Sequence, residues 1–283
     1  MMRVGNSRGF TILEVIIFLT VSSALLIGAM TLISGQFAKT EFRQAVGETQ
    51  SVVDDVANNV STGYYQGPGL NGNCTNVGNI PTVGGGNAQR GTSTACMVVG
   101  QVIRFDSNTS MTTYPVIGFR SRGVGQLTDN LSDTSSTGAV ATVLNQTGYK
   151  STIAYPSGLM AQWASYTNSS GAKISVRGLA FVSSVGILQS GPSNAPGSLT
   201  VNVVPILGTR TGDAGEDNFV DAANLALRAA GLPNKNPTSG VTVCLDSGGT
   251  SQHIRLHVGE EASLFTRVEF QSGASSSDAE CRV

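Results

Sequence analysis

Hydrophobic and polar positions divide this chain into three stretches with different periods. Residues 10–33 read FTILEVIIFLTVSSALLIGAMTLI, apolar on every side, with Glu14 as the only charge. As a helix these 24 residues would be roughly 36 Å long, enough to cross a hydrocarbon core of about 30 Å with some tilt. From Phe37 onward the pattern changes. Phe42, Val46, Val53, Ala57 and Val60 recur at spacings of three, four and seven, while Lys39, Glu41, Arg43, Glu48, Asp54 and Asp55 fill the polar positions. That is a 3.6-residue period with one apolar stripe. Gly63 and the run Gly67-Pro68-Gly69 end it. Residues 10–62 are therefore expected to form one helix of roughly 53 residues, about 80 Å long, apolar all round over 10–36 and amphipathic over 37–62.

Beyond residue 62 the period falls to two. Short β-like runs at 96–105, 113–119, 138–144, 173–182, 198–207, 241–245, 252–258 and 264–270 stand between Gly, Ser and Asn clusters. Residues 245–249, LDSGG, have the composition of a turn between two strands. One helix interrupts, with Phe219, Val220, Ala223, Leu227 and Ala230 on a shared face and Gly231 and Pro233 after it. The polar stretches 71–94 and 121–137 are expected as surface loops. The expected fold class is α+β, a long N-terminal helix packed on a β-rich antiparallel head at 63–283, large enough to bury its own core. No internal repeat or second head boundary is visible.

Charge sets the orientation. Arg3 and Arg8 precede the apolar run, and no acid occurs before Glu14. This asymmetry keeps the N-terminus cytoplasmic and sends the head outward. A cleaved secretory signal would need a cut near Ser22 and Ala24, but a glutamate inside the apolar region and the apolarity beyond that cut both oppose it. A plain signal anchor explains the length and leaves Glu14 as a cost, because a carboxylate in lipid is unfavourable unless paired.

Residues 9–14, Gly9-Phe10-Thr11-Ile12-Leu13-Glu14, behind a short basic leader, resemble the type III leader of type IV pilins and type II secretion pseudopilins. The resemblance covers residues 1 to about 62 and implies the following. Residues 1–9 are a leader. A prepilin peptidase cuts between Gly9 and Phe10 and methylates Phe10. Glu14 becomes the fifth residue of the mature chain, where it pairs with the N-terminal amine of a neighbouring subunit. Two charges that are costly alone in lipid become tolerable as a pair. The family's frequent helix-breaking proline is missing: Thr31 stands at about that place, with Gly28 and Gly35 as the loosening residues. Expected partners are other pilin or pseudopilin subunits, the peptidase, an inner-membrane assembly platform and the membrane itself.

Four cysteines, Cys74, Cys96, Cys244 and Cys281, suit an exported head and allow three pairings. Local pairing, Cys74–Cys96 and Cys244–Cys281, is the expected one; the second would pin the C-terminal tail as pilin C-terminal loops are often pinned. Each bridge would stabilise by about 3 kcal/mol in the chain-entropy model. Buried free thiols are the alternative, and no Cys-x-x-Cys pair suggests zinc.

Little else points to chemistry. His253 and His257 are the only histidines, and HIRLH alternates with period two, which puts both on one strand face roughly 13 Å apart with Arg255 between them. That separation does not suit one metal ion. Residues 67–72, GPGLNG, match the letters of a dinucleotide fingerprint but follow a helix and contain proline. No Gly-x-Ser-x-Gly elbow occurs, and no enzyme is expected. Asp213, Glu216, Asp217 and Asp221 raise the question of calcium, yet they lack EF-hand spacing and suit the dipole of a helix start. No cofactor is expected. Arg104, Phe105, Arg120 and Arg122 could suggest DNA. Loss of Arg3 and Arg8 with the leader takes the 17 basic residues to 15 against 18 acidic ones, a net charge of −3, where nucleic-acid binders carry a basic excess.

The expected function is that of a structural subunit of a type IV pilus-like filament, a minor or unusually large pilin. It would be a single-pass membrane protein before assembly and an extracellular or periplasmic filament after it. The alternatives are a type II secretion pseudopilin and, outside the family, a membrane-anchored adhesin that forms no filament.

Overall fold

The computed structural model describes residues 11–62, 74–77, 80–83, 96–105, 109–119, 141–168, 170–184, 200–208, 215–229, 240–247, 253–259 and 266–271. The chain divides into two compact units, Met1–Gln44 and Ala45–Val283. One helix, α1, runs without interruption from Ile12 to Thr62, a length of 51 residues. Gly28 and Gly35 do not break it.

Within the first unit, the span Ile12–Thr31 is long and apolar enough to cross a membrane, and none of it is buried. Ile12, Phe18, Leu25 and Ile27 are all more than half exposed. A helix that is apolar all round and uncovered suits lipid. Three of its hydroxyls are turned inward: Thr20 donates to the Ile17 carbonyl at 2.9 Å, Ser23 to Leu19 at 2.7 Å and Thr31 to Gly28 at 2.9 Å. These polar side chains of the span are thus bonded within the helix, which a hydrocarbon surrounding requires.

Within the second unit, the rear of α1 buries Ala45, Val46, Thr49, Val53, Val56, Ala57 and Val60. These positions are mostly three and four apart, so they form a single stripe. The head follows as a small hairpin, β1 (Cys74–Val77) with β2 (Ile80–Val83), and a ten-stranded antiparallel sheet. The sheet's strands are β3 (Cys96–Arg104), β4 (Ser110–Phe119), β5 (Thr142–Val143), β6 (Ser151–Ala154), β7 (Met160–Thr167), β8 (Lys173–Ser184), β9 (Thr200–Leu207), β10 (Val241–Asp246), β11 (His253–Val258) and β12 (Thr266–Gln271). They lie in the order β12-β11-β10-β7-β8-β3-β4-β5, with β6 also on β4 and β9 also on β8. A second helix, α2 (Glu216–Ala229), lays Phe219, Val220, Ala223 and Leu227 onto a core that includes Val102, Tyr114, Val116, Val143, Ala180 and Ile206.

Two glycines permit this packing. At Gly178, where β8 slips register against β9, an added Cβ would stand 2.4 Å from the Ile103 carbonyl oxygen and 2.8 Å from the Phe219 ring. At Gly100, beside the register shift of β3 against β4, it would stand 2.3 Å from the Phe181 oxygen. Only a residue without a side chain lets backbone and ring approach so closely.

The α+β class is as expected, and so are α1, α2 and most of the long strands. Three expectations change. Stretch 71–94, expected as a surface loop, contains the β1–β2 hairpin. Of the described residues of the run 138–144, only Thr142 and Val143 are strand, as β5. Strands β6 and β7 are additions: STIA and MAQWASYT are too polar and too rich in small residues to show a two-residue hydrophobic period. The loop expected at 121–137 and the GPGLNG segment lie outside the described residues.

Candidate functional site

Thr11 and Glu14 close the start of α1 with reciprocal bonds. The Glu14 backbone N–H donates to Thr11 Oγ1 at 3.3 Å, while Glu14 Oε2 accepts from the Thr11 backbone N–H and from the Thr11 hydroxyl, both at 3.1 Å. The first helical bond, from the Val15 N–H to the Thr11 carbonyl, follows at 3.2 Å. This is a capping box: Thr at the cap and Glu three residues on satisfy two amide donors that a helix start otherwise leaves unpaired. The carboxylate also lies at the positive end of the helix dipole. The signal was in the sequence, as Thr-x-x-Glu, and gives Glu14 a role inside its own chain. Gly9 and Phe10, the expected cleavage pair, lie outside the described residues.

The rear of α1 is fastened to the sheet at β12. Thr266, itself buried, accepts from Gln50 Nε2 at 3.1 Å and donates to Asp54 Oδ1 at 2.7 Å.

At the start of α2, Glu216 receives Lys150 Nζ on both carboxylate oxygens, at 2.6 and 2.8 Å, and the Tyr114 hydroxyl at 3.1 Å. The hydrogen bond from Lys150 holds its carboxyl below the ordinary value, helped by the Tyr114 hydroxyl and the charges of Lys150 and Arg104, against an opposing push from burial. Asp217 accepts from Asn145 at 3.3 Å. Arg104 and Arg177 stand over the Phe219 ring, 5.3 and 5.7 Å from its centre, in cation–π range. Arg104 is therefore engaged in packing α2, and Glu216 and Asp217 are engaged in tying it down. Asp221 is on the exposed side, and Asp213, Arg120 and Arg122 lie outside the described residues.

The histidines fall on one face, as their alternation predicts, opposite Asp246 and Thr242 of β10. His257 Nδ1 meets Thr242 Oγ1 at 3.2 Å and its Nε2 meets Glu269 Oε2 at 3.4 Å. A carboxylate only accepts, so the ring nitrogen that faces Glu269 is the donor of that pair. His253 stands 4.0 Å from Asp246, which also accepts from Gln162 at 3.1 Å. Arg255, between the two histidines, is only 8 % exposed and lies opposite buried Cys244, so the middle of this polar face is covered. Among the described residues no three His, Cys, Asp or Glu side chains come close enough to hold a metal ion.

Cys244 is disulfide-bonded, and no described cysteine is free. Cys281 lies outside the described residues, as do the side chains of Cys74 and Cys96. Compared with known proteins, the chain matches no family model, no curated protein and no solved structure.

Proposed function

We propose that this chain is a structural subunit of a type IV pilus-like filament, cut between Gly9 and Phe10 and polymerised through α1, with the antiparallel head on the filament surface. One observation carries the reading: a continuous helix whose uncovered apolar front half has a single acid, Glu14, held in its first turn. The box directs the carboxylate back towards Thr11, one residue from where the Phe10 amine would be freed. An acid so placed is positioned to meet an amine at the helix start, whether from its own chain or from a neighbour. The rear half of α1, buried along one stripe and bonded to β12, supplies the support a pilin-like head needs.

N-terminal sequencing of the mature protein tests this. The expected first residue is N-methylated Phe10; an intact Met1, or a start beyond Ala24, would remove the filament reading. The runner-up is an anchored surface protein that never polymerises. The capping box favours it to one degree, because it gives Glu14 a use that needs no neighbour. Within the pilin reading, a secretion pseudopilin and a surface pilus share every feature described.

A further inference from the structure

Within the first unit, α1 continues past its bare apolar span without a break, and Gln36, Phe37, Lys39, Thr40, Glu41 and Arg43 are exposed in turn. Ile33 ends the apolar run, and Lys39 is the first charge after Glu14. Along the helix axis Phe37 stands about 6 Å beyond Ile33, Lys39 about 9 Å and Arg43 about 15 Å. The headgroup region of a bilayer occupies about 5–8 Å on each side of its hydrocarbon core. With the span filling that core, Phe37 and Lys39 therefore fall in or just past the headgroups. The Phe37 ring is 63 % exposed, and the boundary between tails and headgroups takes such a ring out of water. Lys39 and Arg43 are four residues apart, one above the other on one side of the helix. Glu41 is two residues from each, which turns it about 160° away from both. The Cα–Cβ bonds of a helix tilt towards its N-terminus, here towards the span. The stems of Lys39 and Arg43 thus run back along apolar surface and carry their cations down to the level of lipid phosphate.

We infer that Phe37, Lys39 and Arg43 form a docking site for anionic phospholipid, in the leaflet at the C-terminal end of the span. The ring lies at the boundary of the tails, and the two cations hold the lipid phosphate. The whole chain has a net charge of −1, so attraction to an anionic leaflet has to be local, and this collar supplies it. The inference rests on reading Ile12–Thr31 as a membrane span and adds the headgroup chemistry that fixes its depth. It does not depend on filament formation.

Quenching of an introduced tryptophan by brominated lipid measures which lipid lies against residue 37. The full chain carrying Phe37→Trp is reconstituted in mixed phosphatidylcholine and phosphatidylglycerol bilayers, with one of the two lipids brominated. The chain with Phe37 intact supplies the background from Trp163, its only tryptophan. Phosphatidylglycerol should bind at this position several-fold more tightly than phosphatidylcholine. Adding Lys39→Gln or Arg43→Gln should each cut that preference by up to about fivefold. Glu41→Gln, on the other side of the helix, should not lower it. The inference fails if the two lipids compete equally, or if the preference survives Lys39→Gln combined with Arg43→Gln. It also fails if Glu41→Gln lowers the preference as far, because the two cations would then not be its source. Alkaline carbonate extraction of the same bilayers separates this failure from failure of the span. A chain that stays in the membrane without lipid preference loses only the docking site. A chain that washes out loses the span, and the docking site with it.

Discussion

Two glutamates open the two helices of this protein, and they are used in opposite ways. Glu14 and Glu216 each sit in a first helical turn, where the dipole favours an acid. The side-chain bonds of Glu14 reach back three residues, to Thr11. Those of Glu216 reach Lys150 and Tyr114, 66 and 102 residues away in sequence. Around Glu14 the neighbouring apolar side chains are bare; beside Glu216, Phe219 is fully buried. The first acid fixes a turn among uncovered apolar side chains. The second is committed to tertiary structure. An acid at a helix start therefore says little by itself, and its longest bond says a good deal.

The sharpest way to break this comparison is to separate charge from acceptor at Glu14. A capping box accepts Gln as well as Glu, whereas an ion pair with an amine does not. If Glu14 serves assembly, Glu14→Gln should lose surface filaments as completely as Glu14→Ala, because an unpaired charge in lipid costs about 3–5 kcal/mol. Electron microscopy of sheared cell-surface material counts them. Parental numbers of filaments in Glu14→Gln would reduce the residue to a cap. In neither variant should the thermal midpoint of the head move.

Next in size is Phe219→Ala, which empties the site between Gly178, Arg104 and Arg177 and should cost about 3–5 kcal/mol of head stability. Gly178→Ala should cost about 1–3 kcal/mol by overpacking the same place. Ile16→Ala, on the bare half of α1, is the contrast: its side chain is half exposed, and head stability measured by thermal melting should be unchanged. A comparable loss from Ile16→Ala would mean that the front half is packed after all. Thr11→Val removes the cap and should cost about 0.5–2 kcal/mol, confined to faster amide exchange in the first turn of α1.

How much of this was legible in the sequence follows the same division. Contacts within a few residues leave patterns. The period of α1 and the Phe219, Ala223, Leu227 face of α2 could be read directly, and the Thr-x-x-Glu box could have been. The alternation that puts His253 and His257 on one face was equally local. What could not be read was where the faces go. Nothing near Glu216 announces Lys150, and nothing near Asn224 announces Val143, whose N–H its side-chain oxygen accepts at 2.8 Å. β7 leaves no such pattern because it is central to the sheet yet carries Ala161, Gln162, Ala164 and Ser165; its place depends on β8 and β10, which flank it. The β1–β2 hairpin was hidden in a stretch of Gly, Asn and Thr, whose composition resembles a loop whether or not its backbone pairs. Gly100 and Gly178 had the composition of ordinary strand interruptions, and only the close approach of Phe181 and Phe219 gives them a reason.

The smallest predicted effect tests the tertiary acid through its pH dependence. The folded head holds the Glu216 carboxyl below its ordinary value, first through the hydrogen bond from Lys150, while the unfolded chain leaves it in the normal carboxylate range. Between these values the unfolded state binds more protons, so stability falls as pH falls. The contribution is fully present above the ordinary carboxylate range and is lost as pH drops through the folded value. Both side chains are about one-third exposed, so Lys150→Met should cost no more than about 1 kcal/mol at neutral pH. Thermal midpoints of parent and variant should differ at pH 7 and converge on acidification below the carboxylate range. A gap that stays constant down to about pH 2 would assign the effect of Lys150 to packing of its stem instead of its charge. Glu14→Gln should leave the same head profile untouched at every pH, because the bonds of the acid that caps α1 stay within its own first turn.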